Sequence, residues 1–197
     1  MIKTSDTKSK ILDIASEFLQ NRGYKGFSYA HISAELGIKN AAVHYHFPSK
    51  ADLGTAIIIQ FRQQFQSWTA HLEQKYPLQV EKLLEGYIAV PRSFIQNKKL
   101  VCPLGVLESD FNILPETMQR ETRGLNRDMR KWFTMVLRLG REQQVFTFNG
   151  PAEDKALVIS AALQGASLMA GAESLELFET AVTQIKRDLG LEPDALG

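Results

Sequence analysis

The chain has 197 residues, enough for one large domain or two small ones with a real core. Its 44% hydrophobic and 23% charged residues are ordinary for a soluble globular protein, and the formal net charge of +1 announces no nucleic-acid binder by itself. The single cysteine, Cys102, excludes an internal disulfide framework and fits a reducing cytoplasm.

No apolar run follows a basic start, so no signal peptide is expected. The longest uninterrupted apolar run is too short to span a bilayer, and the expected location is the cytoplasm. Charge is unevenly spread. Residues 1–50 hold seven Lys and Arg against four Asp and Glu, a net of +3, so the remainder sums to −2. Three of the four histidines, His31, His44 and His46, lie in that stretch. The positive field is expected at one end of the molecule.

The first helix is predicted over residues 5–22, where Ile11, Ile14, Ala15, Phe18 and Leu19 follow the spacing of one buried face. Gly23 is its stop. Residues 28–50, SYAHISAELGIKNAAVHYHFPSK, then read as a short helix, a glycine corner and a second short helix. Ser28 suits an N-cap, with Ile32 and Leu36 a turn apart on the buried side. Gly37 takes the corner, where a positive φ or a close approach is needed, and Ile38 plugs the gap. In the second helix Val43 and Phe47 face inward, leaving Asn40, Ala41, His44 and Tyr45 outward. Pro48 ends it and Ser49 caps the next. Tyr24 and Phe27 are expected to complete this small core.

A generic helical hairpin also has a glycine corner, but its outer face usually carries Glu and Lys. Asn, His and Tyr, flanked by Lys39 and Lys50, are side chains that hydrogen-bond bases and phosphates. The stretch is a helix-turn-helix whose second helix is shaped for a DNA major groove. Asn40 is the expected base reader, able to pair bidentately with adenine, and Lys50 the expected phosphate contact. The full candidate set is Ser28, Tyr29, Lys39, Asn40, Ala41, His44, Tyr45, His46 and Lys50.

GIKNAAVHYHFPSKADL resembles the recognition-helix signature of TetR-family repressors, and KILDIASEFLQNRGYKGFSYAHIS resembles that family's first helix and the link after it. Together they cover residues 8–55. His44 stands where the family most often has Tyr, and Lys39-Asn40 where Ser-Lys is common. The phosphate contact of that tyrosine is therefore expected from Tyr45 and His46.

Downstream, residues 50–75 read as one long helix, its start packing under the DNA-binding part and Ile57, Phe61, Phe65, Trp68 and Leu72 entering a second core. A helix over 78–97 contains Pro91, which should kink it. NKKLVCPLGVLESDFNILP reads as a break around Cys102, after which Pro115 opens a helix to about residue 142. Gly150-Pro151 punctuates the chain. The helix over 152–171 is rich in small residues, including Gly165 and Gly171, which close approach to another helix would explain. A last amphipathic helix spans 175–189.

His44 and His46 are two residues apart and point to different sides of a helix. With one cysteine and no HExxH or CxxC, no metal site is expected. No catalytic or cofactor-binding signature occurs either, so neither an enzyme nor a bound cofactor is expected. Cys102 is open to two readings: a buried inert thiol, or a sensor thiol activated by Lys98, Lys99 and a following helix N-terminus. Phe65, Trp68, Phe111 and Trp132 could line an effector cavity, although most aromatics at helical spacing are core. CPLGVLESDFNILPETMQ with the helix after it resembles the NemR-like, electrophile-sensing branch of the same family. That resemblance implies a sensor at Cys102, without the branch's other cysteines.

The expected fold is all-α, with a helix-turn-helix domain over 1–50 and a larger helical sensing and dimerisation domain over 51–197. The expected function is a dimeric repressor, released from near-palindromic double-stranded DNA by a small-molecule or electrophile/redox signal and needing no membrane partner. The alternative is a constitutive DNA-binding or interaction protein without an effector.

Overall fold

A computed structural model describes residues 4–96 and 102–191. Every regular element among them is helical: α1 (Thr4–Arg22), α2 (Tyr29–Leu36), α3 (Asn40–His46), α4 (Lys50–Lys75), α5 (Val80–Gln96), α6 (Pro103–Ser109), α7 (Glu116–Glu142), α8 (Ala152–Ala172) and α9 (Leu175–Asp188). A 3-10 turn at Phe111–Ile113 joins α6 to α7. The long helices fall where the apolar spacing predicts them, and Pro91 sits inside α5. The addition is α6, within the stretch read as a break. Pro103 opens it where no backbone donor is needed, and burial of Leu104 and Leu107 holds it. Seven residues are too few for a helix to persist alone, so periodicity gives no warning of it.

The chain forms two compact units: Met1–Gln64 with Pro103–Asn126, and Phe65–Cys102 with Arg127–Gly197. The first unit thus takes in more chain than the expected 1–50 domain, adding the start of α4, all of α6 and the start of α7. Ile11, Ala15, Leu19, Phe27, Ile32, Val43 and Phe47 are buried in it, with Leu53, Ile57 and Ile58 from α4. Ile14, Phe18, Tyr24 and Leu36 stay half-buried at its margin. Gly54 of α4 lies under the Met118 side chain of α7: a Cβ there would stand 2.4 Å from Met118 Sδ, so that side chain would have to move.

The α6–α7 corner is tied into this unit by polar contacts. The Asp110 carboxylate accepts a hydrogen bond from the Tyr24 backbone N–H at 2.7 Å. Gln119 Nε2 donates to the Phe111 and Leu114 carbonyls at 3.1 and 3.0 Å, holding the 3-10 turn against α7. Thr55 Oγ1 of α4 meets Thr117 Oγ1 of α7 at 3.1 Å.

The second unit has its own core, with Phe133, Phe146 and Phe178 fully buried. A two-pronged bond joins Arg92 of α5 to Glu179 of α9, at 2.6 and 2.8 Å. The paired carboxylate holds the Arg92 guanidinium above its ordinary pKa. The inner face of α8 (Ala156, Ile159, Leu163, Ala166 and Ala170) is buried, while Leu157, Val158, Leu168 and Met169 are exposed. Among the described residues a Cβ at Gly165 or Gly171 would meet nothing within 4 Å, so no other described helix explains these glycines. An open groove of about 690 Å³ runs between α8 and α9 past Gly165, Met169, Leu177 and Gln184. α8 is long and apolar enough by length and composition to cross a membrane, although its apolar runs are interrupted by Ser160, Gln164 and Ser167. Its buried inner face shows the use a core helix makes of such a composition.

Candidate DNA-binding interface

The reading head is built from α2, its corner and α3. Ser28 is the N-cap of α2, and its backbone N–H donates to His31 Nδ1 at 3.2 Å. Gly37 ends the helix in the left-handed region, at φ 63° and ψ 31°. Residues other than Gly, Asn and Asp would bear roughly 1–2 kcal/mol of strain there. The Ile38 N–H returns to the Ser33 carbonyl at 3.0 Å, closing the corner.

Val43 and Phe47 point into the core, at 0% and 3% exposure, and so orient the rest of α3. Asn40, Ala41, His44 and Tyr45 are all exposed, Tyr45 at 77%. Ser28 and Lys39 are exposed at the flanks, and His46 is half-buried with its ring 5.1 Å from that of Tyr45. His44 Nδ1 lies 3.4 Å from the Pro48 carbonyl. At the start of α4, Asp52 Oδ2 accepts from the Ser49 N–H and hydroxyl at 3.0 and 2.7 Å, while Ser49 Oγ accepts from the Asp52 N–H at 3.1 Å. This reciprocal cap fixes the chain leaving the reading head.

Two candidates have their polar ends bonded within the protein. Tyr29 is 8% exposed, and its hydroxyl donates to the Phe47 carbonyl at 2.8 Å. Burial, with the charge of Asp52 second, pushes its pKa up to about 12. Lys50 turns its ammonium onto the Tyr24 and Phe27 carbonyls, both at 2.5 Å, and lies 4.6 and 4.4 Å from the centroids of their rings. Burial lowers its pKa. In this structure Lys50 clamps the α1–α2 link, where carbonyls and aromatic faces replace water around the charge.

Asn40 also has a partner that sequence reasoning missed. Ser33 Oγ of α2 donates to Asn40 Oδ1 at 2.6 Å. A small hydroxyl beside buried Ile32, seven residues before Asn40, was the available signal. Asp110 was missed as well, since its partner Tyr24 is 86 residues away.

The sensor candidates separate. In the second unit Phe65, Trp68 and Trp132 form one aromatic cluster, with centroids 5.5–6.1 Å apart. Trp132 Nε1 donates to Glu73 Oε1 at 2.6 Å. Phe111 belongs to the other unit, where the Arg123 guanidinium lies 4.9 Å from its ring centroid. Cys102 is half-buried and directly precedes α6, whereas Lys98 and Lys99 lie outside the described residues. No group of His, Cys, Asp and Glu suited to a metal occurs among the described residues.

A glycine-cornered helix pair presenting Asn, His and Tyr on its second helix defines a helix-turn-helix protein. Residues 11–57 match the family described as "Bacterial regulatory proteins, tetR family". A TetR-family transcriptional regulator from Agrobacterium tumefaciens is similar over the whole length, with 32% identity and a TM-score of 0.88, covering 94% of this chain and 98% of that one. A TetR regulator from Legionella pneumophila is 26% identical with a TM-score of 0.83, over 93% and 97% of the two chains. The reduced form of E. coli NemR is 22% identical with a TM-score of 0.80, over 93% and 97%, a likeness of fold alone. No curated protein matches the sequence. The chain belongs to the TetR family: it is a DNA-binding transcriptional regulator, not an enzyme.

Proposed function

We propose that the chain is a cytoplasmic repressor that binds a near-palindromic operator as a two-fold dimer and leaves it on a small-molecule or electrophile signal. The observation that carries this reading is the exposed Asn40, Ala41, His44 and Tyr45 face, held outward by buried Val43 and Phe47. One such head contacts too few phosphates for specific affinity, whereas two, about 34–36 Å apart, reach successive major-groove faces. Lys39, Tyr45 and His46 supply phosphate contacts and Asn40 a base-edge contact.

The dimer forms through α8 and α9. Support comes from the exposed apolar outer face of α8, the open space beside Gly165, and the groove between the two helices. Two copies pack these helices as a four-helix bundle across the axis. In this reading residues 1–50 carry DNA recognition, and residues 51–197 carry sensing and dimerisation.

For the signal, the half-buried Cys102 thiol at the start of α6 is the sensing group, and the Phe65, Trp68 and Trp132 cluster is the place for a non-covalent effector. An adduct forces a bulky group into a packed site and favours a state with the two heads wrongly spaced. Turning a 99:1 population around takes about 5.5 kcal/mol of differential affinity. The test is release of selected operator DNA by aldehydes, quinones and oxidants. The wild type should release, and Cys102→Ser should bind normally yet hold on. Release of the Ser variant at the same dose would return Cys102 to a structural thiol. Failure of every effector would leave a constitutive binder.

A further inference from the structure

We infer that Ser33 sets the base preference of the reading head by turning Asn40 into a donor-only reader, which matches guanine rather than adenine. The inference rests on α3 being the recognition helix. Ser33 is 9% exposed on α2, and its hydroxyl lies 2.6 Å from Asn40 Oδ1. That distance is usual for O–H···O and short for N–H···O, so the oxygen of the carboxamide, not its nitrogen, faces Ser33. The hydroxyl has one proton, and its other acceptor, the Ala30 carbonyl, is farther at 3.1 Å.

The consequence follows from the planarity of the carboxamide. With Oδ1 directed at a nearly buried hydroxyl, the two Nδ2 hydrogens are left for the exposed side of Asn40. Bidentate pairing with adenine needs an acceptor for its N6 amino group as well as a donor for N7. While Ser33 occupies one of its two lone pairs, Oδ1 is drawn toward α2, and turning it to the groove for adenine gives up that bond. Guanine presents two adjacent acceptors, O6 and N7, and so suits a group offering two donors. The sequence expectation of adenine is thereby reversed, by a residue that does not touch DNA. Ser33 is a positioning residue, and Asn40 the group that meets the base.

Selection of binding sites from randomised duplexes by the wild type, Asn40→Ala, Ser33→Ala and Ser33→Thr tests this. The position read by Asn40 is the one whose preference disappears in Asn40→Ala. The wild type should select guanine there, and 7-deazaguanine at that position should weaken binding by about tenfold. Ser33→Ala frees Oδ1 and should admit adenine, while Ser33→Thr keeps the hydroxyl and should keep guanine. Adenine in the wild-type site, a Ser33→Ala profile identical to wild type, or no position dependent on Asn40 would each overturn the inference. If the wild type selects no sequence at all, the reading of α3 as recognition helix fails first, and this inference falls with it.

Discussion

The Tyr29 hydroxyl donates to the Phe47 carbonyl at 2.8 Å, joining the first residue of α2 to the residue that ends α3. The helix-turn-helix is thus closed at both ends, by the Gly37 corner and by this bond. Tyr29→Phe should cost about 1 kcal/mol of stability, read by denaturant unfolding of the free protein. The same residue predicts an alkaline dependence. The folded state holds the Tyr29 proton up to about 12, above the ordinary value of 10.0, so stability is intact below pH 10 and declines as pH rises toward 12. Tyr24 is shifted the same way by burial, so Tyr29→Phe should flatten this decline without abolishing it.

Lys50 and Lys39 should behave differently although both are lysines of the reading head. Lys50→Met removes two bonds to the α1–α2 link and should lower the stability of the DNA-free protein by about 1 kcal/mol. Lys39 is exposed, so Lys39→Ala should leave stability unchanged and reduce the slope of log affinity against log salt by about 0.9. Unfolding curves without DNA, paired with binding titrations at several salt concentrations, separate the two roles. A Lys50→Met protein as stable as wild type would contradict the clamp.

With the dimer built on α8 and α9 as proposed, Gly165→Leu should break it and spare the protomer. A side chain at that position has open space within the protomer, and leucine is the better helix former by roughly 1 kcal/mol. Sedimentation should report monomers with undiminished helix content. A variant that still sediments as a stable dimer would put the interface elsewhere.

Asp110→Ala should loosen the α1–α2 link by leaving the Tyr24 N–H without its acceptor, at a cost of about 1–3 kcal/mol. Hydrogen exchange at the Tyr24 amide is the direct measure, and it should accelerate. Asp110→Asn retains an oxygen acceptor and should restore most of the protection. Unchanged exchange in the alanine variant would show that the carboxylate does not hold the link.

The bounds of α4 and α7, the left-handed Gly37 corner and the outward face of α3 were all legible in the chain of residues. Each depends on neighbours within a turn or two: apolar spacing, a cap, or a residue without a Cβ. The inward turn of Lys50, the buried hydroxyl of Tyr29 and the tether of Asp110 were not, because their partners lie 23 and 26, 18 and 86 residues away. Helix α6 belongs with them, since burial of Leu104 and Leu107 and not its own seven-residue pattern sustains it. Local spacing decided which side chains of α3 face outward. Only the packing of α2 across α3 decided which end of the Asn40 amide Ser33 holds, because a hydrogen bond between helices depends on where their backbones come together.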